Sequence, residues 1–215
     1  MNESQKVKLI IGCLKKLYPD TVCALVYNEP HELMIAARLS AQCTDKRVNL
    51  ITPALFKRYA DINDFAEANI GELEGLIRSC GLYKTKARDI KEMCKMLRDE
   101  YDGSIPDRID ELIKLPGIGR KTANLLVGTL YGKPAVVTDT HVIRLSNRIG
   151  LVNSKEPIKV ENALRKLLPE NESLDFCHRL VFFGRDACRA RNPNCLADRE
   201  CVIKKYCNYY KNSVY

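Results

Sequence analysis

This sequence predicts an all-α fold, and three observations carry that prediction. Apolar residues recur at spacings of three and four along most of the chain. No segment keeps the every-other-residue alternation of a half-buried strand, and prolines fall near the ends that the helical pattern implies. Val7, Ile10, Ile11, Leu14 and Leu17 make the first stripe, which Pro19 closes, and Pro30 stands at the next expected boundary. Residues 45–59 read as a further helix containing Pro53, whose missing N–H and clashing ring predict a break or kink there. Ala87, Ile90, Cys94 and Leu97 form another stripe. Ile109, Leu112 and Ile113 form a shorter one, with Asp107, just after Pro106, placed to cap it. Ala123, Leu126, Val127 and Leu130 then follow at i, i+3, i+4 and i+7. Beyond Pro134, Val142, Leu145 and Ile149 begin just after Asp139, and Val160, Ala163, Leu164 and Leu167 lie between Pro157 and Pro169.

At 215 residues the chain holds one large domain or two small ones, and 46% hydrophobic residues is ordinary for a globular protein. No run of about 18 apolar residues occurs, so no membrane-spanning helix is expected. Met1 to Lys6 lack the apolar centre of a secretory signal, which predicts a cytoplasmic protein. The net charge of +8 suits a polyanionic partner, and half of it lies between residues 185 and 211, where seven basic residues face three acidic ones.

The ten cysteines fall into two classes. Cys13, Cys23, Cys43, Cys80, Cys94 and Cys177 are scattered through apolar helical patterns and read as small buried hydrophobes. The compartment argues against disulfides among them. Cys188, Cys195, Cys201 and Cys207 instead make a compact C-x6-C-x5-C-x5-C series in the basic tail. Four thiolates within so short a segment suit one [4Fe–4S] iron–sulfur cluster. Zinc is the alternative, although structural zinc sites favour closely spaced cysteine pairs, which this tail lacks.

The most informative stretch is Leu115-Pro116-Gly117-Ile118-Gly119-Arg120-Lys121-Thr122-Ala123-Asn124, followed by Thr138-Asp139-Thr140-His141. A proline and two glycines between two apolar stripes predict a tight hairpin of two short helices. Its backbone N–H groups then lie at the positive end of the second helix, an anion site that a nucleic-acid phosphate fits whatever the base. Lys121 lies in the first turn of that helix beside Arg120, and this positive field disfavours a further positive charge on its amine.

These residues resemble the helix-hairpin-helix of the base-excision DNA glycosylases, and specifically the endonuclease III family. The hairpin and the segment around Asp139 match the family's motif. So do Leu39-Ser40-Ala41-Gln42-Cys43-Thr44-Asp45, Cys80-Gly81-Leu82-Tyr83 and the cysteine-rich tail, so the resemblance covers nearly the whole chain. It implies two helical domains with a cleft between them. A six-helix domain over residues 23–136 would carry the hairpin at about 107–130. Residues 1–22 and 137–215 would form a discontinuous domain with the cluster at 188–207. Lys121 and Asp139 would face each other across the cleft. The family's middle cysteine spacing is C-x2-C, so the Leu196–Glu200 spacer here is three residues longer, and the extra residues are expected to bulge outward.

The implied activity is that of a base-excision DNA N-glycosylase with an associated AP lyase, removing oxidised pyrimidines from duplex DNA. The Lys121 amine would attack the sugar C1′ and form a Schiff base, and β-elimination would cut the strand. Asp139 would stabilise positive charge on the sugar or relay the lysine's proton. Gln42 and Leu82 would fill the space left by the flipped nucleotide, whose extrusion costs a few kcal/mol. Gly117, Gly119, Arg120, Arg189 and Arg191 would contact the DNA backbone. Asp45, Tyr83 and His141 match positions around the lesion pocket, with a structural hydrogen bond expected of His141. The implied partner is double-stranded DNA with damaged bases or abasic sites, bound by a monomer and not at a membrane. The alternatives are a monofunctional mismatch, uracil or adenine glycosylase, which would not need Lys121, and a non-catalytic hairpin module, which would need neither Lys121 nor Asp139.

Overall fold

The computed structural model of the chain describes residues 2–20, 22–196 and 200–214. Among them are α-helices and short 3-10 turns but no strand. In chain order the helices are α1 (Glu3–Leu17), α2 (Pro30–Leu39), α3 (Asp45–Arg58), α4 (Ile62–Ala66), α5 (Ile70–Ile77), α6 (Tyr83–Glu100), α7 (Ile109–Leu112) and α8 (Arg120–Tyr131). There follow α9 (Thr140–Ile149), α10 (Pro157–Leu167), α11 (Ser173–Asp186) and α12 (Asn208–Val214). The chain divides into two compact units, Cys23–Gly132 and Met1–Val22 with Lys133–Tyr215. The first unit ends at Gly132, the left-handed cap of α8, rather than at residue 136.

In the Cys23–Gly132 unit, α2 packs against α3, α6 and α8, while α6 lies on α4 and α5. That central place explains why α2 is apolar nearly all round, with Leu33, Met34, Ile35, Ala36 and Leu39 fully buried. Its start is fixed by Pro30 in the first turn and by a Glu29–Glu32 capping box. Val48, Leu55, Phe65, Leu73, Ile77, Ile90, Met93, Leu97 and Leu126 complete the core. Each such Leu or Ile contributes roughly 1.5–3 kcal/mol by leaving water.

The other unit packs α1 on α10 and α11, and α9 on α10, α11 and α12. An Asn2–Gln5 capping box starts α1, and Ile10 and Leu14 on its stripe are buried. Buried Arg179 of α11 ties down the end of α1 by donating from Nε to the Tyr18 carbonyl at 3.1 Å.

Several local expectations are corrected. Helix α3 continues past Pro53, so the break that was one of the two outcomes expected there is absent. Proline removes one hydrogen bond there, and the burial of Val48, Thr52 and Leu55 on the same helix outweighs that loss. Arg108, not Asp107, occupies the N-cap of α7, and its own side chain makes no cap bond. Of the six scattered cysteines only Cys80, Cys94 and Cys177 are buried, while Cys13, Cys23 and Cys43 are half-buried. The extra residues 197–199 of the cysteine spacer lie outside the described residues.

Candidate active site

The hairpin forms as the glycine spacing predicts, and tertiary contacts give Gly117 a second reason to be glycine. The turn is closed by Leu115 N–H to the Leu112 carbonyl and Ile118 N–H to the Leu115 carbonyl, both at 3.1 Å. Leu115 and Ile118 point into the core. Gly117 has φ +76°, and a Cβ on it would stand 2.4 Å from Arg38 Nε and 2.9 Å from Asp89 Cβ. Arg38 of α2 donates from Nε at 2.9 Å and from a terminal nitrogen at 2.5 Å to one oxygen of Asp89 on α6. An ion pair between two core helices therefore forms the floor beneath the turn. Gly119 is the N-cap of α8 and offers no side chain to close the helix start.

Lys121, the second residue of α8, is exposed. Its surroundings can be read from Cys23. Burial pushes the Cys23 thiol up, the Asp45 carboxylate adds to that rise, and the Lys121 ammonium opposes it. Lys121 and Asp45 are thus each electrostatic neighbours of Cys23. Cys23 also pushes the Tyr27 hydroxyl up, after the larger effect of burial. Sequence periodicity assigned Cys23 to the core and gave no sign of this place beside the lysine.

Gln42 and Leu82 are both exposed, both at turns, and both left-handed, with φ +54° and +48°. Leu82 is 57% exposed, which no packing requirement explains. The turn at Gln42 follows the end of α2, and Thr44 then caps α3 through its hydroxyl, leaving Asp45 in the first turn. The turn at Leu82 follows a 3-10 turn, Arg78–Cys80, and Leu82 is the N-cap of α6, so half-buried Tyr83 begins that helix.

Asp139 belongs to the other unit and caps α9, its Oδ1 accepting from the Val142 N–H at 2.8 Å. The half-buried imidazole of His141 lies 3.2 Å from an Arg144 nitrogen through Nδ1. A Cβ on Gly184 would stand 2.5 Å from the same ring nitrogen, so α11 needs a glycine where His141 packs on it.

Helix α9 also holds the cysteine loop. Arg144 donates to the carbonyls of Gly184 (3.1 Å) and Cys188 (3.0 Å). Arg148 donates to those of Arg189 (2.7 Å) and Ala190 (2.8 Å), reaches Cys188 Sγ at 3.4 Å and stacks on Tyr209, 4.7 Å from the ring centre. The backbone at Arg189 and Ala190 is thereby held, while the side chains of Arg189 and of Arg191, one residue on, stay exposed.

The four tail thiols feel one another. Burial first, then the charges of Cys195, Cys188 and Cys207, pushes Cys201 up to about 11. Burial and then Cys188 and Cys207 raise Cys195; burial raises Cys207, which backbone hydrogen bonds from Tyr210 and Tyr209 partly offset and Cys188 adds to. Among the described residues no three His, Cys, Asp or Glu side chains stand in a single-ion arrangement. The donor set is nonetheless one that suits a polynuclear cationic group, which takes soft sulfur ligands and offsets part of the repulsion among thiolates.

A glycine hairpin floored by an ion pair, with an exposed amine at its helix start, is the kind of turn that receives a nucleic-acid phosphate. The chain matches the HhH-GPD superfamily base excision DNA repair protein model over residues 35–170 and belongs to that family. Within it, the chain is similar to Endonuclease III of Synechocystis sp., at 44% identity over 96% of this chain and 93% of the relative. Endonuclease III of Bacillus subtilis is 42% identical over 94% of this chain and 92% of its own length. A solved trapped Endonuclease III–DNA covalent intermediate, an estranged-adenine complex, is 42% identical and superposes with a TM-score of 0.92, covering 100% of both chains. The chain is accordingly a base-excision DNA glycosylase of the endonuclease III kind.

Residues that the motifs did not announce carry much of the site. Arg38, Asp89, Arg144 and Arg148 stand inside helical segments, where a charge reads as a solvated face. Only the fold turns them inward to the hairpin and the cysteine loop.

Proposed function

We propose that this chain excises oxidised pyrimidines from duplex DNA and cuts the abasic site that results, with Lys121 as the nucleophile for both steps. The observation that carries this reading is the exposed Lys121 amine at the start of the hairpin's second helix, directly after the glycine turn. Backbone N–H groups at Gly117 and Gly119, with Arg120, hold phosphates and set the strand's register without reading sequence. Gln42 and Leu82 occupy the space of the extruded nucleotide, Gln42 bonding to the orphaned partner base and Leu82 wedging between base pairs. Asp45, Tyr83 and His141 border the lesion.

The Lys121 nitrogen forms a bond to C1′ as the C1′–base bond breaks, and the base departs with the bonding pair. Ring opening leaves an imine between Lys121 and C1′. The imine acidifies the C2′ proton, and its removal expels the 3′ phosphate oxygen. The Asp139 carboxylate stabilises positive charge on the sugar or takes the proton that the amine must lose. A monofunctional, water-using glycosylase would leave the Lys121 amine without a role.

Cys188, Cys195, Cys201 and Cys207 would hold a [4Fe–4S] cluster, with zinc the alternative. When bound, the cluster would supply a cationic hub that offsets part of the thiolate charge and cross-links the tail. The chain's own part is to present Arg189 and Arg191 to the DNA backbone on the loop that Arg148 fastens.

Borohydride trapping on a duplex with one thymine glycol tests the reading. A covalent protein–DNA band is expected from the native chain and none from Lys121→Ala, which should still bind the duplex. Base release without a trapped band would demote Lys121 and point to a water-using enzyme. A band that survives in Lys121→Ala would assign the Schiff base to another amine.

A further inference from the structure

Lys86 lies on α6, one turn beyond Leu82, and is fully buried. Its ammonium donates to two main-chain carbonyls, that of Leu39 at 2.8 Å and that of Cys80 at 2.7 Å. These acceptors share a property. Leu39 is the last residue of α2 and Cys80 the last of the 3-10 turn Arg78–Cys80, so each carbonyl lies at the negative end of a helical segment. Past each of them the chain bends into the left-handed residue of its turn. Beyond Leu39 come Ser40, Ala41 and Gln42; beyond Cys80 come Gly81 (φ +64°) and Leu82. The Lys86 backbone N–H also donates to the Leu82 carbonyl at 3.0 Å.

We propose that Lys86 is a positioning residue that fastens the Gln42 and Leu82 turns to one buried ammonium, so that both base-replacing side chains enter DNA at a fixed separation. The inference rests on the assignment of Gln42 and Leu82 as the residues that fill the gap.

The physical argument is one of cost and purpose. A lysine in a core gives up hydration that an apolar residue of the same length would not need. Burial lowers the Lys86 ammonium's proton affinity, Cys43 and Cys80 partly restore it, and Arg38 works against it. What the charge gains in return is geometric. The carbonyls it joins lie 41 residues apart in the chain, one from each turn. Left-handed backbone at Gln42 and Leu82 is disfavoured for residues with a side chain, so turns of this kind hold only where their surroundings fix them. Cys43 and Cys80, which flank the two turns, are electrostatic neighbours, so the turns also approach each other beside the ammonium. Insertion into a duplex demands such rigidity. Two wedges that move independently would leave the base pair room to close again.

Lys86→Met keeps the side chain's length and removes both bonds, while Lys86→Gln keeps an amide donor. Hydrogen–deuterium exchange is expected to speed by roughly tenfold or more in Lys86→Met at residues 40–43 and 81–83, with the interiors of α2 and α6 unchanged. Single-turnover excision of thymine glycol from a duplex should fall about tenfold or more in the same variant, because extrusion is no longer held open. Cleavage of a preformed abasic site in single-stranded DNA has no opposite strand to fill and should stay within about twofold. Lys86→Gln should fall between in both measurements. Native exchange rates at both turns would overturn the proposal. So would faster exchange throughout the unit with equal loss of both reactions, which marks a general core role. Faster exchange at the turns with undiminished duplex excision would instead remove Gln42 and Leu82 from the gap-filling role, and Lys86 with them.

Discussion

Single residues in this site carry two duties, and the right substitution separates them. Asp139 caps α9 and is also the carboxylate proposed to act on the sugar. Asparagine caps a helix about as well as aspartate. Asp139→Asn should therefore keep the native melting temperature within a degree or so while slowing base release about tenfold or more. Asp139→Ala should lose about 1 kcal/mol of stability as well. Equal excision rates for Asp139→Asn and the native chain would leave the residue only its cap. Gly117 is the converse case, glycine both for its positive φ and for the space above Arg38. Gly117→Ala is expected to destabilise by more than about 1 kcal/mol and to weaken duplex binding, because the alanine must displace the Arg38–Asp89 pair. Unchanged melting and binding would refute that account of the turn.

At the scale of elements, α9 joins the cap residue at its start to the cysteine loop at its end. Arg144 and Arg148 stand one turn apart on it and take carbonyls from residues 184–190, a segment that makes no regular pairing of its own past α11. Arg148→Gln should loosen the Arg189–Arg191 loop. The expected result is faster amide exchange at residues 189–192 and weaker DNA binding, with single-stranded abasic-site cleavage retained within about twofold. Native exchange at the loop would show that Tyr209 and the cysteines hold it without the arginine. Sequence periodicity located α9 from Val142, Leu145 and Ile149, all buried. It was silent on the two arginines, because a charge off the apolar stripe looks the same whether it meets water or a buried carbonyl.

Across the whole molecule, a charge of +8 with half of it in the tail makes binding electrostatic in its reach. Each phosphate contact removed should lower the slope of log K against log salt by about 0.9. An Arg189→Ala, Arg191→Ala double variant is thus expected to bind with a slope shallower by about 2 at otherwise equal lesion preference. An unchanged slope would place those side chains off the DNA.

Much of this was written in the sequence alone. The helical periodicity, the glycine hairpin, the ordered motifs and the cysteine series determined the fold class and the family, and named the residues proposed to bear the chemistry. Local backbone preference and side-chain chemistry act over a few residues and so leave local patterns. Tertiary structure decided the rest. It carried α3 through Pro53, where buried contacts outweigh one lost hydrogen bond. It moved the α7 cap to Arg108 and placed Cys23 near the Lys121 amine. It also gave Lys86, Arg38 and Arg148 their partners. Most of those partners lie tens of residues away in the chain, and a charge turned inward declares itself only when folding brings its acceptors to it.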